Sequence, residues 1–388
     1  MRKRTLVNTN LKLQAKFSKT LPGILVFMVL SACSGSQNFS QFPGFSQHFT
    51  QYPPSDLPPT DSEVALLEKY KPRIYTADKQ MQPVDFYKDY IAHGTLYIDG
   101  KKLSNKPTAT LLNKHRDNPD AVFRYEGDYK QSGTSVVYAR VDYEETIHRD
   151  TNYHFTFLTY NLVFPVSGIL QGLGKLQSIG LAVAGNLNDW HQLDHYVNVS
   201  VALLNSKPVA MTLQQHNYQT TYLLNPDQPD ISVDIAMRSN ELYTHSSKRE
   251  MHPAVSFISS DNLEFLVSGN NKPTMSGYDI THGVKEIDYE LIYLLQTDAF
   301  YQFKGSLGKK RLLPGRSGPP GADYATLPGL MPRHIRLVTG YRTDSVESEI
   351  ELFDKLFDRK NFAIRPAAID AYKDRFFEVL AKNTNSND

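Results

Sequence analysis

Cysteine is almost missing from this chain, with one thiol, Cys33, in 388 residues. No disulfide can form within it, so a buried core must hold the fold. The length suffices for one large domain or two modest ones. Tryptophan is equally scarce, with Trp190 alone against 23 Tyr and 20 Phe, a balance that suits sheet faces. Catalytic signatures of fixed spacing are absent as well: no Gly-x-Ser-x-Gly turn, no Walker-type phosphate loop, no His-Glu-x-x-His. A basic excess is missing too. Six of the 42 Lys and Arg precede Cys33 and no acid does, which leaves 36 cations against 41 acids, a charge of −5 beyond that point. A dedicated nucleic-acid binder carries the opposite balance, so nucleic acid is not expected as a partner.

The N-terminus is the most legible segment. Arg2, Lys3, Arg4, Lys12, Lys16 and Lys19 lead into an uncharged, mostly apolar run from Leu21 to Ala32. A basic region, a short apolar region and small residues at a cleavage point make a secretory signal, and the run is too short for a transmembrane helix. Leu30-Ser31-Ala32-Cys33 resembles the lipobox of bacterial lipoproteins, in which the cysteine is diacylated and becomes the new N-terminus. That resemblance implies a signal peptide over 1–32 and lipid attachment (palmitate) at Cys33. The membrane is then a partner through the N-terminal lipid, and several acyl chains give stable anchoring. Ser34, where inner-membrane retention favours Asp, points to the cell outer membrane.

Residues 33–60, rich in Ser, Gln, Phe, Gly and Pro, read as a flexible tether. A short helix through Val64, Leu67 and Tyr70 is expected before Pro72. Period-two alternation predicts strands at Val122 to Tyr125, Ser135 to Tyr143, Tyr153 to Phe164, Tyr196 to Leu204, Pro208 to Gln215, Tyr218 to Leu224 and Ile231 to Met237. The Gly-rich stretch Val166 to Gly185 reads as a helix covering a sheet edge, with a membrane-touching loop as the alternative. Gly305 to Pro332 reads as a loop. Ser345 is expected to cap one helix carrying Ile350, Phe353 and Phe357, and a second is expected from Pro366 through Phe376 and Leu380. The expected fold is α+β and mainly antiparallel β. It comprises a β-sandwich-like domain over 61–340 and a C-terminal helical hairpin over 341–388 packed on it. Whether 246–344 forms a separate lobe stays open, as does the oligomeric state.

The densest polar cluster runs from Gly185 to Tyr196 and contains Asp189, Trp190, His191, Asp194 and His195. A loop that enters a rigid strand can converge such side chains on one point. If Tyr196 to Leu204 and Pro208 to Gln215 form a hairpin across Asn205-Ser206-Lys207, antiparallel pairing brings His216 to the same end as His195. The patch Arg238 to His245 could return to that end, with Glu241 and His245 on one face if the stretch is helical. The candidate binding or catalytic residues are therefore His191, Asp194, His195, His216 and Glu241. A divalent cation, as cofactor, would sit on His191, Asp194 and His216. Turn formation and capping are the plainer roles for the same residues.

Two family resemblances accompany this reading. Leu66-Leu67-Glu68-Lys69-Tyr70-Lys71-Pro72-Arg73-Ile74-Tyr75, with Gln82 to Tyr87, is similar to the opening of the vacuolar-protein-sorting sixty-two-like family. Tyr160 to Pro165, His191 to Asp194, His216 and Ser239 to Tyr243 follow in that family's order. The family implies no general activity. Gly185 to His191 resembles the Gly-His-Arg-His-Asp-Trp-Glu segment of necrosis-inducing cytolysin-like proteins, with Asn at both His positions and His at the Glu position. That resemblance implies a β-sandwich, a divalent cation and action on membranes. The expected function is a lipid-anchored envelope protein: a non-enzymatic module that binds a ligand, an envelope protein or an envelope polymer. The alternatives are a metal-dependent hydrolase of an envelope polymer or lipid, with Glu241 as general base, and a membrane-active protein.

Overall fold

The computed structural model describes residues 57–126, 133–166, 192–215, 218–237, 239–256, 274–295, 297–309 and 318–321, with short pieces at 357–358, 363–364, 374, 376–378 and 380–381. All of them belong to the unit Ser36–Asp388. Helix α1 (Asp61–Lys69) opens with a capping box: Thr60 Oγ1 accepts the Glu63 amide and the Glu63 carboxylate accepts the Thr60 amide at 2.7 Å. Strand β1 (Arg73–Thr76) and a π-helical turn (Phe86–Tyr90) follow. Next come β2 (Gly94–Ile98), β3 (Lys101–Asn105), α2 (Ala109–Lys114) and β4 (Ala121–Tyr125). The long strands are β5 (Ser135–His148), β6 (Thr151–Val166) and β7 (Gln192–Leu204), then β8 (Lys207–Gln215) and β9 (Tyr218–Leu223). Shorter ones complete the set: β10 (Ser232–Ile235), β11 (Leu242–Thr244), β12 (Glu250–Ser256), β13 (Thr274–Thr281), β14 (Lys285–Glu286), β15 (Tyr289–Tyr293), β16 (Phe357–Asp358) and β17 (Ala363–Ile364).

Strands β5 to β9 form an antiparallel meander, and β15 adds in parallel to β5, giving the six-stranded order β15-β5-β6-β7-β8-β9. Two-residue turns close three of the hairpins with left-handed backbone at both positions: Asp99-Gly100, Arg149-Asp150 and Asn205-Ser206. Such turns match the right-handed twist of the strands they join. A four-stranded sheet, β11-β10-β1-β14, lies against one face of the six-stranded one. Ile74, Val233, Ile235 and Leu242 from the smaller sheet meet Val137, Leu158, Tyr160, Val199, Val201 and Leu213 from the larger in one buried core, which Leu67 of α1 also enters. The opposite face of the six-stranded sheet is covered in two places. Val136 and Tyr138 pack with Phe86, Tyr90, Phe123, Phe300 and Phe303, next to the three-stranded sheet β3-β2-β4. Phe155, Phe157, Ala202 and Val209 pack with the helical residues Phe376, Phe377 and Leu380.

The chain is thus mainly β, in antiparallel and mixed sheets with few helices, and several expectations need correction. Ser135 to Tyr143 and Tyr153 to Phe164 continue to His148 and Val166, because each supplies the other's hydrogen bonds beyond the apolar stretch. Strand β10 does not continue the β8–β9 meander. Pro226 and Pro229, which lack a ladder donor, separate it from β9, and it pairs in parallel with β1 instead. The described part of the patch, 239–245, is not helical: Leu242–Thr244 is a strand, paired antiparallel to β10. At the C-terminus, Phe357 lies not in a helix but in β16, paired antiparallel with β17. The remainder of the expected first helix lies outside the described residues, while Asp374, Phe376–Glu378, Leu380 and Ala381 are helical. Strands β14 and β15 join the two main sheets, so part of 246–344 is built into the core. The signal, the tether up to residue 56 and 167–191 lie outside the described residues. Among the described residues, no helix is long and apolar enough to cross a membrane.

Candidate functional site

The start of β7 is irregular. Its register against β6 shifts between Leu162 and Phe164, and Leu193 takes a left-handed φ of 59°. A bulge of this kind re-aims side chains at a strand end. Here Leu193 is buried against Leu96, Phe123 and Val163, and the next residue, Asp194, is fully buried. Asp194 Oδ2 accepts a hydrogen bond from Asn240 Nδ2 at 2.8 Å, and the same amide reaches the Val166 carbonyl at 3.1 Å. Asn240 therefore ties the end of β6 to the start of β7, and it does so from a left-handed backbone, φ 64°. Asn tolerates that conformation better than most residues.

The residues beside Asn240 extend the network. The Ser239 amide donates to Asp279 Oδ2 at 3.0 Å, and the Ile280 amide donates to Asp279 Oδ1 at 2.7 Å. The Glu241 amide donates to Ser239 Oγ at 3.1 Å, and the Tyr243 hydroxyl donates to Glu241 Oε2 at 2.7 Å. The His252 ring lies on Tyr243, centroids 3.6 Å apart, and its Nε2 is 2.8 Å from Thr281 Oγ1. The register explains this stacking: His252 faces Asp279 and Glu250 faces Thr281, so one face of the β12–β13 ladder turns toward β11. Asp194, Glu241 and Asp279 are all buried. Burial first, then the Glu241 carboxylate, raises the Asp279 carboxyl above its ordinary value. Burial and Glu241 likewise push the Tyr243 hydroxyl well up, so it stays a donor.

Of the candidates named from sequence, Asp194 and Glu241 enter this network, linked through Asn240 and Ser239. Glu241 and His245 flank the strand Leu242–Thr244 with Tyr243 between them, so spacing of two rather than a helical turn relates them. His195 lies on the backbone of β7 with its side chain outside the described residues, as are Cys33, His191 and His216 entirely. The proposed cation set of His191, Asp194 and His216 is thus described only at Asp194. Among the described residues, no group of three or more His, Cys, Asp or Glu side chains is arranged to hold a metal ion. Asp279 and His252 escaped the sequence reading because β12 and β13 carry polar residues and no clean alternation. Asn240 was inside the patch already singled out, and an Asn between Ser and Glu next to a strand is a signal for left-handed backbone. No family model, curated protein or solved structure matches this chain.

Proposed function

We propose that this is an envelope protein anchored through a lipid on Cys33 in the outer membrane, with a β-sandwich-like domain whose strand ends serve as a non-enzymatic binding site. The partner is an envelope protein or polymer, met at the strand ends around Asp194. The observation that carries this reading is the burial of Asp194 behind Asn240, between two left-handed residues. A carboxylate with no solvent contact orders its surroundings instead of touching a substrate, and strained backbone persists where a fixed shape is used. The acids are struts of a preorganised rim, and recognition falls to the residues they hold.

Two measurements test it. Palmitate labelling is expected in the wild type and not in Cys33→Ser, with the labelled protein in the outer-membrane fraction. Labelled Cys33→Ser protein would remove the anchor. Metal content of the purified full chain is expected to be substoichiometric. One bound ion per chain, lost in His191→Ala/His216→Ala, would replace the binding module with the metal-dependent hydrolase.

A further inference from the structure

Tyr75, Asp234 and Tyr243 lie at one level across β1, β10 and β11, since Tyr75 pairs with Asp234 and Asp234 with Tyr243. Their neighbours Ile74, Val233, Ile235 and Leu242 face the core, so this row occupies the other face of the sheet. Asp234 is nevertheless fully buried. Its Oδ2 accepts the Ser246 amide at 3.0 Å, and its Oδ1 lies 2.7 Å from His245 Nδ1. Gly283 closes a third side so tightly that a Cβ there would come within 1.9 Å of Oδ1. The His245 ring lies on Tyr75, centroids 3.8 Å apart and planes 16° apart.

These contacts set the state of the imidazole. A carboxylate only accepts, so Nδ1 carries the ring proton and Nε2 is left with a bare lone pair in the neutral ring. The stack holds the ring plane, and the His245 amide, bonded to the Ser232 carbonyl at 2.9 Å, holds its backbone. The His245 side chain keeps 25% of its surface exposed while Asp234 keeps none. Its one hydrogen bond is through Nδ1, so Nε2 has no protein partner among the described residues.

We propose that His245 and Asp234 form a general-base dyad that hydrolyses carboxylic esters of readily departing alcohols or phenols, an activity separate from the strand-end network. His245 is the catalytic residue and Asp234 the positioning residue. Nε2 takes a proton from water as the water oxygen bonds to the carbonyl carbon. The bond from that carbon to the alcohol oxygen then breaks, and Nε2 returns the proton to the departing oxygen. The products are a carboxylic acid and an alcohol, with no co-reactant beyond water. No second acid contacts His245 among the described residues, so one ring serves both proton transfers, which favours esters over amides.

The test uses the purified full chain in detergent with 4-nitrophenyl butyrate, its rate compared with free imidazole at equal concentration. The wild type is expected to exceed imidazole, and His245→Gln to lose about 100-fold in kcat/KM, the lower end of what a positioned base supplies. His154→Ala is the control: that ring also pairs with a carboxylate, Glu145 at 2.8 Å, but is 63% exposed, and its loss is expected to leave the rate unchanged. Nitrogen-15 spectra of labelled histidine are expected to show the Nδ1–H tautomer at His245 in the wild type and its loss in Asp234→Asn, together with most of the rate. Should Asp234→Asn fail to fold, His245→Gln and the wild-type spectrum decide. A wild-type rate no greater than imidazole, a rate retained in His245→Gln, or the Nε2–H tautomer in the wild type would each overturn the proposal.

Discussion

Asn240 offers the sharpest test of how the strand ends are held, because its side chain and its backbone can be perturbed separately. Asn240→Ala removes the donor to the buried Asp194 Oδ2 and to the Val166 carbonyl. Leaving buried acceptors short of a donor costs about 1–3 kcal/mol, and more when the acceptor is charged. It also places a Cβ-bearing residue at φ 64° without the local hydrogen bonding that eases Asn into that region. That adds about 1 kcal/mol, for a total near 3 kcal/mol. Asn240→Gly removes the same donor but relaxes the backbone, so it should be about 1 kcal/mol less damaging than Ala. The assay is urea unfolding of the full chain followed by far-ultraviolet circular dichroism of its strands. The expected order of midpoints is wild type, then Gly, then Ala. A Gly variant equal to or weaker than Ala would refute the strain, and an Ala variant within about 0.5 kcal/mol of wild type would refute the strut.

Three further outcomes follow from the same geometry. Asp279 is raised from its ordinary 3.8, so the native state holds its proton more tightly than the unfolded chain, and stability falls as pH rises from that value to the raised one. Asp279→Asn should flatten this fall in urea midpoints measured from pH 3.5 to 6.5, and an unchanged slope would remove the assignment. Gly283→Ala should lower the thermal midpoint by an amount corresponding to about 1–3 kcal/mol, because its Cβ meets Asp234 Oδ1 at 1.9 Å. Ser206→Gly should stabilise by about 0.5 kcal/mol, since Ser206 sits at φ 64° in a two-residue hairpin turn.

Much of the six-stranded sheet was legible because its strands alternate apolar and polar residues over long stretches and end in turn formers. Asn205-Ser206 closes β7 onto β8, at the place where the turn chemistry pointed. Strand β3, Lys101-Lys102-Leu103-Ser104-Asn105, has no such pattern and exists because β2 beside it supplies hydrogen-bond partners. The partner of β10 was illegible for a different reason. Parallel pairing with β1 joins segments far apart in the chain, and no local pattern encodes it. The candidate site divides in the same way. Asp194 stood out by composition, but Asp279 reaches Ser239 only because β13 is paired with β12 and laid beside β11.

Both main sheets depend on a late parallel strand: β1 waits for β10, and β5 waits for β15. A chain that emerges from its N-terminus holds β1 and β5 with open edges until Ser232 and then Tyr289 have followed. Pairings so distant in sequence slow folding, since the intervening loop must be ordered before it yields any contact. Open edges over that interval invite pairing with other chains. Interruption before Tyr293 would therefore leave a meander with one unsatisfied flank, and the period between emergence and closure is when a holding chaperone would matter most to this protein.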